Sequence, residues 1–250
     1  RSSTSAAESK QAFYDSIKQL EDILLPGEAN LGSSIGRFFS SLQEIATAPS
    51  DLAPRVVALE QGKLLASSFN DVAETVRQLQ DGLITQANQL VTEVNILTGE
   101  LASLNQQIAA AGKIKVNNAM LDRRDAIVDE ISESINVTVK LGDSGTANLT
   151  VGINGSGPEL VEGNVVTPIG LDPSDNHINV VMSPGVLNNY TSQVSGGGLA
   201  GLIDAYAMAA SVMNDIDHLA YSLVQDMNAL HKNGLDMDGL PGKNIFQDID

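Results

Sequence analysis

Apolar side chains return along much of this chain at intervals of three and four residues, the schedule of a helix stripe. The dominant run lies between Pro54 and Ala111, a stretch with no further proline. Phe69, Val72, Val76, Leu79 and Leu83 step by three and four. After one extra four-step to Ala87, the residues Leu90, Val94, Leu97, Leu101, Leu104 and Ile108 resume the alternation. A mean spacing near ~3.5 places them on one side of a single long helix, with a local relaxation of any supercoil at the extra step. At ~1.5 Å per residue such a helix is roughly 85 Å long, and its stripe needs other helices to cover it.

Those helices are predicted on either side. Residues 5–25 carry Phe13, Ile17, Leu20 and Leu24 in register, and Pro26-Gly27 ends them. Residues 31–47 carry Leu31, Ile35, Phe38, Leu42 and Ile45, and stop before Pro49. Ser50-Asp51 and Pro54 supply cap and first-turn residues for the long helix. Its end is expected at Gly112, where Lys113 and Lys115 suit a C-terminus. Asn117 or Asn118 caps a fourth helix with Leu121, Arg124, Val128, Ile131 and Ile135 on one side.

The period then switches to two. Val137–Leu141 and Ala147–Ile153 alternate around a Gly142-Asp143-Ser144-Gly145 turn, a hairpin signature. Short strands are expected at 159–161, 165–171 and 177–182, giving a small, mostly antiparallel β unit over 137–195. Helical register returns from Leu199 through Leu202, Tyr206, Ala209, Met213, Ile216, Ala220, Leu223 and Met227 to Leu230. The pattern predicts an α+β fold: an elongated antiparallel helical bundle, coiled-coil-like and rod-shaped, with a β domain inserted. The expected domains are 1–136 with 196–235 as the helical rod, 137–195 as the insert, and 236–250 as the start of a further, truncated segment.

Composition narrows the chemistry. With a net charge of −17 and only 14 basic residues, a nucleic-acid groove or an anionic membrane surface is disfavoured. No apolar run approaches the length of a membrane span. The absence of cysteine excludes disulfides and thiolate metal sites. Tryptophan is missing and aromatics are only 4%, unlike a domain built around a small-molecule pocket. The chain opens at Arg1 without methionine and closes in a polar, loop-like stretch, which reads as a fragment of a longer protein.

Several strings imitate chemical motifs. Gly196-Gly197-Gly198-Leu199-Ala200-Gly201 contains G-x-G-x-x-G ahead of a helix, but the polar Tyr190–Ser195 precedes it where a dinucleotide fold needs a buried strand. The alternative is a flexible re-entry turn from the β unit. Asp122-Arg123-Arg124-Asp125 crowds four charges into the fourth helix. With Arg124 on the apolar stripe, a pair with an acid of another helix is expected. Asp236-Met237-Asp238-Gly239 lacks the spacing of a calcium loop and reads as a turn. His177, His218 and His231 have no histidine at i+4, so a zinc site is not expected. Four Asn-x-Ser/Thr strings begin at Asn136, Asn148, Asn154 and Asn189. No catalytic, cofactor-binding or metal-binding residue is assigned, and no cofactor is expected.

Taken in order, the segments resemble one family, the bacterial flagellar hook-associated protein 1 family that joins hook to filament. The resemblance rests on "LGSSIGRFFSSLQEIATAPSDLAPRVVALEQGKLLASSFN" at 31–70, "LTGELASLNQQIA" at 97–109 and "MLDRRDAIVDEIS" at 120–132. "SGGGLAGLIDAY" at 195–206 and "MNALHKNGLDMDG" at 227–239 complete it. Many members carry phenylalanine-arginine where this chain has Ala205-Tyr206, so no contact through that arginine carries over. The terminal helical segments of the family do not appear.

The resemblance implies a structural subunit of the extracellular flagellum, exported through the flagellar secretion apparatus, and not an enzyme. It implies a ring of like subunits, with hook protein and the second hook–filament junction protein as neighbours. An export chaperone would bind through the missing C-terminal region. No nucleic-acid or membrane partner is expected. Two other classes compete: another secreted helical assembly protein (flagellin, the second junction protein or an adhesin stalk), and a nucleotide-binding enzyme built on the Gly196–Gly201 turn.

Overall fold

A computed structural model describes residues 1–25, 30–115, 117–174, 176–182, 188–236 and 238–248. The expected stop at Pro26-Gly27 and the side chains of Lys113 and Lys115 lie outside the described residues. The helices are α1 (Ser2–Leu24), α2 (Leu31–Thr47), α3 (Leu52–Lys115), α4 (Asn118–Ser134) and α5 (Gly197–Lys232). Between α4 and α5 run β1 (Val137–Leu141), β2 (Ala147–Val151), β3 (Glu159–Glu162), β4 (Val165–Val166), β5 (Ile169–Ser174) and β6 (His177–Met182). The fold is α+β and mostly helical, a helix bundle with small antiparallel sheets inserted.

Local chemistry sets the boundaries. The Asn30 carboxamide accepts from the Ser33 N–H to open α2, and Asn117 does the same for Met120 to open α4. Asp51 accepts from the Ala53 N–H at the start of α3, and Pro54 sits in the first turn, where its missing N–H costs nothing. Gly112 breaks the helical geometry of α3 with φ 63°, a conformation only glycine adopts freely.

The chain divides into two compact units, residues 1–18 with 80–208 and residues 19–79 with 209–250. Three helices, α1, α3 and α5, contribute to both. In the first unit, β1-β2-β3-β4 form one antiparallel sheet and β5-β6 a second. The expected single strand over 165–171 is divided. Pro168 has no N–H to offer a ladder, so β4 pairs with β3 and, beyond the proline, β5 pairs with β6. β2 ends at Val151 because Gly152 turns to φ 92° and Ile153 enters a 3-10 turn.

The predicted stripe is the core of α3. Val94, Leu97, Leu101, Leu104 and Ile108 are buried in the first unit, together with Ile127, Val128 and Ile131 of α4. In the second unit, Phe69 and Val76 of α3 and Ile216 and Met227 of α5 are buried. There Phe38 of α2 is sealed at 0% exposure and meets the Phe246 ring at 5.6 Å. Gly62 leaves room for both rings, since a Cβ there would lie 3.4 Å from Phe38 and 3.7 Å from Phe246. The α5 stripe stops short of its expected end: Leu230 is 68% exposed.

Leu101→Asp places an unpaired carboxylate at a position with 0% exposure, whereas Ile96→Asp changes a side chain that is 65% exposed. Losing the leucine alone is expected to cost about 2–5 kcal/mol, and the buried charge adds to it. Urea unfolding followed by circular dichroism should show a large loss of stability for Leu101→Asp and a change within about 0.5 kcal/mol for Ile96→Asp. An unchanged curve for Leu101→Asp would refute the seam.

Candidate functional site

The polar centre of the first unit is a set of side chains that hold main chain. Asn105, on α3, is 1% exposed. A carboxamide offers two donors and one acceptor, and Asn105 uses all of them. Its Oδ1 accepts from the Ala147 N–H at 2.8 Å, and its Nδ2 donates to the carbonyls of Ala147 and Gly163, each at 2.8 Å. Ten residues earlier, Asn95 grips Ile169 at the start of β5, accepting from its N–H at 2.9 Å and donating to its carbonyl at 2.8 Å. Each helix side chain thus stands where a neighbouring strand would otherwise pair.

A second junction lies where the chain returns to helix. Asn136 accepts from the Ser195 N–H at 2.9 Å and donates to the Gln193 carbonyl at 3.1 Å. Its own N–H donates to the Gly196 carbonyl, and its carbonyl accepts from the Gly152 N–H. The glycines that follow are close-packed. A Cβ on Gly197 would collide with the backbone of Ser134 and Ile135, and one on Gly198 would lie 3.1 Å from Leu90 Cδ1. One on Gly201 would run into the Ser9 carbonyl oxygen and stand 2.9 Å from Ala12 Cβ. The G-x-G-x-x-G string therefore brings helix backbones together, and the space a pyrophosphate would need is filled by α1, α3 and the end of α4.

The arginine pair divides its work differently from the sequence expectation. Arg124, buried on the α4 stripe, bonds Asp125 of its own helix at 2.7 and 3.0 Å and donates to the Gly145 carbonyl in the β1–β2 turn. Its neighbour Arg123 makes the interhelical pair, reaching Glu100 of α3 at 2.7 and 2.9 Å. The hydrogen bond to Glu100, aided by that acid's charge, raises the Arg123 pKa. Position on the stripe favoured Arg124, but its guanidinium reaches the unpaired carbonyl of the turn.

In the second unit, Asn228 of α5 repeats the asparagine grip. It is 2% exposed, accepts from the N–H groups of Ile245 and Phe246 at 2.9 and 3.0 Å, and donates to the Phe246 carbonyl at 3.0 Å. Asp236 accepts from the N–H groups of Asp238 and Leu240, so its carboxylate serves a turn; Met237 lies outside the described residues. His231 Nδ1 meets the Lys243 carbonyl. Among the described residues no group of three or more His, Asp or Glu side chains is placed to hold a metal. Of the four Asn-x-Ser/Thr strings, Asn136, Asn148 and Asn189 spend their carboxamides on hydrogen bonds.

One polar cavity of about 390 Å³ opens in the first unit, with Arg1, Ser5, Ser132, Asn136, Thr138 and Gly196 in its wall. Its described lining includes no histidine and no carboxylate, so it offers no general acid–base pair. The asparagine anchors carry the site's physical role, and that role is mechanical.

The family described as "Flagellar hook-associated protein FlgK helical domain" matches residues 17–246. The chain belongs to the FlgK family. It is 25% identical over 265 residues to "Flagellar hook-associated protein 1" of Bacillus subtilis (strain 168), covering 94% of this chain and 52% of that protein. It is 26% identical over 243 residues to the protein of the same name in Salmonella typhimurium, covering 93% of this chain and 43% of the relative. Among solved structures, the flagellar hook junction protein FlgK from Burkholderia pseudomallei superposes with a TM-score of 0.84 at 26% identity, covering 98% of this chain and 46% of that one. The chain spans about half the length of the curated relatives it matches. The FlgK family is one of structural proteins of the flagellum, outside the cell, and not of enzymes. Its matched span takes in the glycine re-entry and all three asparagine grips. Ala205 and Tyr206, at the departure from the common pattern, are both buried in α5.

Asn105→Ala strands the Ala147 N–H and the Ala147 and Gly163 carbonyls in the interior, with an expected loss of about 2–5 kcal/mol and faster hydrogen exchange at the Ala147 amide. Exchange at wild-type rate would deny the anchor. Gly201→Ala should destabilise by about 1–3 kcal/mol. Gly99→Ala, with nothing within 4 Å of the new Cβ, should stabilise the exposed helix by up to about 1 kcal/mol. Chemical denaturation of the two variants side by side checks the contrast.

Proposed function

We propose that the whole protein is a structural subunit of the bacterial flagellum, placed between hook and filament and held there by packing against neighbouring axial proteins. The observation that carries this reading is the family match across residues 17–246. The related fold over nearly the whole chain supports it. In this reading like subunits stand side by side in a ring, with hook protein on one side and the second junction protein on the other. The protein leaves the cell through the flagellar export apparatus, its export chaperone binding a region beyond this chain. Residues 137–195 act as a β insert carried by the helical part, 1–136 with 196–235, and residues 236–250 begin a further segment.

The physical features suit that work. Helices joined by apolar seams resist bending, and buried carboxamides hold the sheets to α3 without a flexible hinge. Glycines packed against helix backbone do not accept a nucleotide, which removes the specific basis for the enzyme alternative.

In-frame deletion of the gene tests the reading. The expected outcome is loss of swimming, with hooks that lack filaments by electron microscopy, restored by the full-length gene in trans. Normal filaments on the deletion strain would overturn it. ATP and NAD at millimolar concentration should leave the melting temperature of the chain unchanged; a saturable rise would reopen nucleotide binding.

A further inference from the structure

The second unit presents two outward helix faces that its own packing does not explain. On α3, Leu52, Val56, Val57, Leu59 and Leu64 are 45–66% exposed. Leu52, Val56, Leu59 and Lys63 follow one another at four, three and four residues, the spacing of a helix–helix seam. Together the five apolar side chains form a surface on the order of 400 Å², in the range that marks an interaction site on a monomer. The charges within 52–64 are Arg55, Glu60 and Lys63, so the segment is net positive in a chain of net charge −17.

The other face is on α5. Asp215, Leu219, Ser222, Asp226 and Leu230 fall on one exposed stripe, with Leu219 at 46% and Leu230 at 68% exposure. Residues 215–230 contain three aspartates and no lysine or arginine. Among the described residues, neither Asp215 nor Asp226 forms an ion pair. One face is apolar with a positive balance; the other alternates leucine with aspartate.

We propose that the α3 face over 52–64 docks the α5 stripe over 215–230 of a second copy of this chain. The proposal rests on the reading above that like subunits pack side by side. Leucines of one stripe enter the gaps of the other, while Asp215 and Asp226 approach Arg55 and Lys63. The chain's negative charge opposes contact at acidic surfaces and makes this pairing the favourable approach of two copies. Because the two faces differ, the contact is head-to-tail: each copy offers both, and repetition builds a ring or an open array instead of a closed two-fold dimer.

The absence of cysteine makes the test direct. Leu59→Cys and Leu219→Cys are introduced into the full-length protein, singly and together, in a strain lacking the native gene. Isolated flagella are treated with a mild oxidant and resolved by non-reducing electrophoresis. The double variant is expected to give a ladder of disulfide-linked copies, and neither single variant a self-linked dimer. Lys63→Cys with Ser222→Cys repeats the test at polar, exposed positions on the same stripes. Self-linking of Leu59→Cys alone would show the α3 face meeting itself and overturn the proposal. So would products containing another flagellar protein, or no product from either pair in motile cells. Absence of the wild-type protein from isolated flagella would instead overturn the flagellar reading on which the proposal rests.

Discussion

Sheet edges are the constraint on which the first unit depends. A strand with one bare side exposes N–H and C=O groups that must find partners once water is excluded. Here the partner at two such edges is the carboxamide of a helix residue: Asn105 at the start of β2 and Asn95 at the start of β5. Asparagine is a poor helix former, so its place inside α3 is decided by what it bonds across the gap. With these two bonds made, α3 and the sheets share one interior, in which Leu149, Leu160 and Val161 are buried beside the helix seam. Asn228 applies the same chemistry in the second unit, seating the segment around Phe246.

The glycines around 196–201 complement that arrangement by bringing main chain close to main chain. Without side chains at Gly197 and Gly201, α5 starts against the end of α4 and the middle of α1. A string that resembles a phosphate-binding loop is here a packing device. The difference lies in what occupies the space above the glycines, protein backbone or open cleft.

Much of the helical architecture was legible because burial on a helix leaves a period. The stripes of α3 and α5, the Asn117 cap and the Asp51–Pro54 start all follow from local rules, and the structure has them. The hairpin at 137–151 was equally plain from its alternation. What stayed hidden depends on contacts between distant residues. An asparagine inside a helix looks the same in sequence whether it faces water, as Asn88 does, or holds a strand, as Asn105 does. Arg123 and Arg124 are neighbours of one type, and only the positions of Glu100 and Gly145 decide which pairs with an acid across helices. Pro168 did carry a signal for the split between β4 and β5, but an unbroken apolar rhythm across it reads as one strand.

The asparagine anchors recognise only main-chain atoms. Ala147, Gly163 and Ile169 are held through their N–H and C=O groups, which every residue type except proline supplies alike. The strands and turns between the anchors can therefore change their outward side chains freely while their attachment to the helix stays the same. A surface fixed in this way can take on new residues under pressure from its surroundings without disturbing the scaffold that carries it.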